Sequence, residues 1–122
     1  MVNTEYRAQY QTRYETGESD DAGTADEELL STDLTDEGML TTLRLYSSVE
    51  QSIRVEAITQ NNDGTDDQTE TVFKAHGVSE LDTGDFENPV FEAPAQSRIS
   101  VKLDADSTGD IAVNARVDER TG

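Results

Sequence analysis

Apolar and polar side chains alternate with period two over several short stretches of this chain, and that pattern predicts β-strands. It is strictest in residues 98–104, where Ile99, Val101 and Leu103 are separated by Ser100 and Lys102. After the polar stretch 105–109 it resumes through Ile111, Val113, Ala115 and Val117. Two half-buried strands with a short Gly-containing connection predict a β-hairpin. Further upstream, Ile53, Val55 and Ala57 flank Arg54 and Glu56, and Leu43 and Leu45 bracket Arg44. Residues 28–34 and 70–76 complete the set, with a turn at 36–38 and a long polar loop over 61–69.

The N-terminal stretch fits two periods. Tyr6, Tyr10 and Tyr14 stand at helical spacing, yet every even position from Val2 to Tyr14 is apolar, Thr or Tyr. Every odd position from Asn3 to Glu15 is strongly polar. Tyr and Thr favour a pleated, half-buried surface, so residues 1–14 read as a long strand or extended arm. Two placements stay open. Either the arm packs on a neighbouring subunit with Tyr6, Tyr10 and Tyr14 facing it, or it is the first strand of the domain's own sheet, tyrosines inward.

Residues 86–95 hold both prolines of the chain, Pro89 and Pro94, among Phe86, Val90 and Phe91. Proline cannot donate to a strand ladder and is confined to edges and bulges. The segment therefore predicts an edge crossing between sheets, anchored in the core by Phe86, Pro89, Val90 and Phe91. Together these elements predict one all-β domain over residues 1–122, an antiparallel sandwich or jelly-roll-like barrel of about seven or eight strands without substantial helix.

Charge then decides the setting. Twenty-seven carboxylates face nine cations, only two of them lysines (Lys74 and Lys102), for a net charge of −18. Such a charge works against a compact state at low salt, whereas at molar salt the screening length falls to roughly 3 Å. This composition resembles that of proteins from halophilic organisms and their viruses. Residues 15–27 carry six of the acids and predict an exposed acidic loop. Scattered arginines disfavour nucleic-acid binding, and no apolar run approaches the ~20 residues that span a bilayer. The start carries no charged and apolar leader, so no signal peptide is expected.

Candidate chemistry is sparse. There is no cysteine and a single histidine, His76, so no nucleophile–base pair can be assembled from them. No Gly-rich phosphate loop is present, and no enzyme is expected. Asp104, Asp106, Thr108 and Asp110 place oxygens around Gly109 like the first part of a calcium loop, but Ala115 stands where such a loop ends in an acid. A hairpin turn explains the same residues, so no cofactor is expected, with Ca²⁺ as the weak alternative. The loop over 59–70 has the corresponding defect at Thr59 and Asp66.

The succession of strands at 28–34, 40–46 and 53–59, the Asn88-Pro89-Val90-Phe91 segment and the closing alternation resembles small β-sandwich structural proteins of tailed and icosahedral viruses. Joined to the acidic composition, the chain is similar to structural proteins of haloarchaeal viruses. The resemblance implies a non-enzymatic capsid, turret, penton or tail component assembled in a high-salt cytoplasm. Its partners would be other virion proteins and copies of itself, with no nucleic acid and no membrane insertion. A carbohydrate- or receptor-binding module, calcium-assisted or not, is the alternative.

Overall fold

The computed structural model describes residues 9–20 and 23–121. Seven antiparallel strands form one nearly closed sheet: β1 (Tyr10–Ser19), β2 (Glu28–Leu34), β3 (Gly38–Gln60), β4 (Asp66–Thr83), β5 (Phe91–Ala93), β6 (Ser97–Leu103) and β7 (Ile111–Arg120). The described residues contain no helix.

β3 organises everything else. Its first half pairs with β7, from Gly38↔Glu119 to Ser47↔Ile111, and its second half pairs with β6, from Ile53↔Leu103 to Thr59↔Ser97. β4 follows β3 along its other side, and the short β5 continues that side at Gly38–Leu40. Two layers result, β1-β7-β3 and β2-β6-β3, joined through the bend between Ser47 and Ile53. Inward side chains of both layers, among them Leu43, Leu45, Val113 and Val117 from one and Ile53, Val55, Ile99 and Val101 from the other, merge into a single core. All eight are nearly inaccessible to solvent, and burying each such side chain stabilises the fold by about 1.5–3 kcal/mol.

The bend is stitched by the connection between β6 and β7. Gln51, buried, donates through Nε2 to Ser47 Oγ (3.0 Å) and to the Thr108 carbonyl (3.3 Å). Ser48 N and Ser47 Oγ donate to the Asp110 carbonyl. The sandwich is clasped on the opposite side by Arg13 of β1. Its guanidinium reaches Glu119 Oε1 (2.5 Å), Thr32 Oγ1 (2.9 Å) and the Asp33 carbonyl (2.7 Å), tying β1 and β7 to β2. Burial works against the charge on Glu119, but N–H groups of Asp36 and Thr35 and the Arg13 guanidinium outweigh it and hold the carboxyl below its usual range. Where β1 crosses β2, a Cβ on Gly17 would sit 1.9 Å from the Leu29 carbonyl oxygen, so only glycine permits the approach.

Four expectations need correction. β6 and β7 are not a hairpin: each pairs with a different half of β3, because alternation predicts a half-buried strand but does not choose its partner. The stretches around Leu43–Leu45 and Ile53–Ala57 are one bent strand rather than two. Residues 15–19 do not belong to the acidic loop; they continue β1, their polar side chains standing on a strand whose backbone is paired with β7. Asp66 to Thr69, expected in the polar loop, already belong to β4.

Candidate functional site

The outward face of the β1-β7-β3 layer carries two clefts of mixed chemistry. Pairing in register sets Tyr10, Thr12, Tyr14, Thr16 and Glu18 of β1 beside Arg120, Asp118, Arg116, Asn114 and Ala112 of β7. At one end lies a cleft of ≈590 Å³ lined by Tyr10, Thr12, Phe86, Glu87, Arg116 and Asp118. At the other, ≈310 Å³ is lined by residues that include Glu18, Asp20, Tyr46, Ser47 and Asp110.

Phe86 reaches the first cleft because of a built turn. Gly84, at φ +88°, lies against the Thr41 carbonyl, where a Cβ would sit 2.2 Å away. Asp85 Oδ1 then accepts the N–H groups of Glu87 and Asn88, and Thr42 Oγ1 donates to the Gly84 carbonyl. The ring so presented meets Tyr10 edge-to-face, centroids 5.6 Å apart at 89°. This is the favoured aromatic geometry.

Beneath the rings sits Asp118, 1% exposed although it points to the outer side of its strand. A buried carboxylate is costly unless hydrogen-bonded and paired. Here Thr12 and Thr41 donate their hydroxyls to its two oxygens, and Arg116 lies alongside with Nε 3.1 Å from Oδ2. That Nε is buried and off-line for a hydrogen bond. Arg116 Nη2 makes a long contact with Asp118 Oδ1, at 3.4 Å.

The opposite outer face is of a different kind. Arg54 binds Asp26 (2.6 Å), Glu56 (2.9 Å) and Asp104 (3.2 Å), while Lys102 binds Glu56 (2.8 Å) and Lys74 binds Asp104 (3.5 Å). Glu56, foremost among these partners, raises the pKa of Arg54 further. Burial disfavours the charge on Glu56, but Lys102 and Arg54 prevail and hold its carboxyl below its usual range. All eight described lysines and arginines have a carboxylate within 4 Å. No unpaired basic patch therefore exists among the described residues to attract an anionic polymer.

Of the residues predicted as sites, Tyr6 lies outside the described residues. Tyr10 and Tyr14 are on the chain's own sheet, and Tyr14 faces outward, 63% exposed, rather than into the core. Val90 and Phe91 pack on the core and Pro89 is half-buried, but Phe86 is 41% exposed and lines the cleft instead of anchoring the core. The calcium-loop candidates are engaged elsewhere: Asp104 with Arg54 and Lys74, Asp106 with the Ala25 N–H, and Thr108 and Asp110 through the carbonyls that stitch the β3 bend. No group of three acidic or histidine side chains able to hold a metal occurs among the described residues. Arg116 and Asp118 were not anticipated; the one available signal was two charges on the polar side of an alternating strand. Among the described residues, no helix is long and apolar enough to cross a membrane.

No family model and no curated protein matches this sequence. Similarity to solved structures is confined to the fold. One is the CBM22-1–GH10 part of Clostridium thermocellum xylanase 10B complexed with xylohexaose (TM-score 0.49, 8% identity, 93% of this chain and 26% of that one). A second is the infectious bursal disease virus VP2 subviral particle (TM-score 0.45, 13% identity, 93% of this chain and 38% of that one). A third is the SPBc2 prophage-derived protein YomS (TM-score 0.45, 14% identity, 88% of this chain and 95% of that one). The chain thus spans well under half of the first two proteins and nearly all of the third.

Proposed function

We propose that this chain is a non-enzymatic structural subunit of a halophilic virion that joins its neighbours by strand edges. The observation that carries the reading is β4. It is 18 residues long, pairs with β3 alone among the described strands, and has no buried residue. Its second edge offers unpaired backbone donors and acceptors for strand addition. Asp66, Asp67, Glu70, Glu80 and Asp82 line the strand against Lys74 alone, a charge guard that blocks indiscriminate pairing at low salt. At molar salt that repulsion is screened to near contact range, and the edge becomes usable in the solvent where the particle would assemble.

The test has two parts. The protein should be found in purified particles, and the isolated chain should self-associate or bind a particle protein in concentrated KCl but not in dilute buffer. Replacing the exposed Thr71 of β4 by proline should reduce that association while the chain stays folded. Absence from purified particles refutes the reading.

A further inference from the structure

We propose that the cleft between Tyr10 and Phe86 binds one pyranose ring of a neutral glycan. Its volume of ≈590 Å³ lies in the range of small-molecule sites, which pair an apolar wall with a few fixed polar groups. The wall is the Tyr10–Phe86 pair, each ring held by the other at 89°, and the C–H face of a sugar ring packs on such a surface. The polar group is the Arg116 guanidinium, oriented by Asp118, which Thr12 and Thr41 in turn fix by their hydroxyls. Arg116 keeps donors to spare: its Nε faces Asp118, but its Nη1 forms no hydrogen bond among the described residues. Glu87 supplies an acceptor and Thr12 a hydroxyl beside them. Adjacent donors and acceptors next to an aromatic wall match the vicinal hydroxyls of a sugar.

Charge selects the neutral class. Arg116 and Asp118 compensate one another, Glu87 adds a negative charge, and the chain carries −18, so anionic ligands are repelled. A lysine or arginine side chain entering the cleft would meet the Arg116 guanidinium. A purely apolar segment would leave the spare Arg116 donors desolvated without partners, which is costly.

The experiment is titration of the full chain, in the KCl concentration that keeps it folded, with short neutral gluco-, xylo-, manno- and galacto-oligosaccharides. Uronate oligosaccharides and oligolysine serve as comparison probes, and amide and side-chain NMR shifts as the readout. At least one neutral probe should bind, with shifts confined to Tyr10, Thr12, Phe86, Glu87 and Arg116. Phe86→Ala and Arg116→Lys should each weaken binding at least about tenfold, while Tyr46→Ala at the far end of the face leaves it unchanged. Phe86 is exposed, and Arg116→Lys retains a positive charge opposite Asp118. Melting curves of both variants should therefore overlay the parent and separate lost binding from lost fold. The proposal fails if no neutral probe binds by roughly 10 mM, if only the charged probes bind, or if Phe86→Ala leaves affinity intact. Each of these outcomes is independent of particle association, which rests on β4.

Discussion

The two outer faces of this sandwich are built on the same strand and treat charge in opposite ways. On the second half of β3, Arg54 and Glu56 project into a lattice with Asp26, Asp104, Lys74 and Lys102. On the first half, Arg44 has only the exposed Asp82 as an ion-pair partner among the described residues, Tyr46 is 62% exposed, and the neighbouring surface opens into clefts. The difference teaches where a strongly acidic protein can keep cations. Where they are half-buried among several carboxylates, they hold strands together; where they stand singly beside aromatics, they remain available to a ligand. Exposed single pairs such as Arg44–Asp82 contribute about 0–1 kcal/mol, so the first face has little internal reason to stay closed.

That contrast can be broken first at its common root. Leu43 is fully buried in the core that the two layers share, so Leu43→Ala should destabilise the protein by about 2–5 kcal/mol. If the faces belong to one cooperative unit, circular dichroism and tyrosine fluorescence will report a single coincident, lowered melt. Separated transitions would show that the two layers unfold independently.

A second change addresses the locked face alone. Glu56→Gln removes the charge that binds Arg54 and Lys102 together and should cost about 1.5–3 kcal/mol near neutral pH. The sign of its pH dependence follows from the lowered pKa of Glu56. A carboxyl depressed in the fold contributes stability that is complete above its unfolded pKa, about 4.3, and is lost as pH falls through the folded value. Denaturant melts of parent and variant should therefore converge as pH drops from about 6 to below 4. A gap that persists in acid would mean that Glu56 acts by packing rather than charge. Glu119, lowered likewise, adds to the same acid loss in both proteins.

The smallest effect is expected on the open face. Tyr14→Ser and Tyr46→Ser alter exposed side chains and should shift stability by no more than about 0.5 kcal/mol. A larger loss in either would show that the face is sealed by contacts within the chain.

Much of this was legible in the sequence because the inward faces of β2, β3, β6 and β7 are buried. Ile99, Val101 and Leu103 could only point one way if Ser100 and Lys102 pointed the other, and β2 was readable at its observed limits, Glu28–Leu34. Strand partners were not legible. Seven residues between β6 and β7 fit a hairpin as well as a crossing between layers, and only three-dimensional packing against the bent β3 decides between them. The cleft was hidden for a related reason. Tyr10, Phe86 and Arg116 are far apart along the chain, and Phe86 looked like core because aromatics beside proline commonly are. Its exposure depends on Gly84 and the Asp85 turn, which aim it across the sheet.

The pairing of β1 with β7 has a mechanical consequence. Tyr10 stands opposite Arg120, and Thr121 N donates to the Gln9 carbonyl at 2.5 Å, so both strands meet at the same end of the ladder. Tension applied through those two points would open the ladder like a zipper, one hydrogen-bonded pair at a time, and would meet little resistance. Tension applied along β4 by an added strand would instead shear many hydrogen bonds at once. A chain of this design resists force through its lateral neighbours far better than through the paired residues Tyr10 and Arg120.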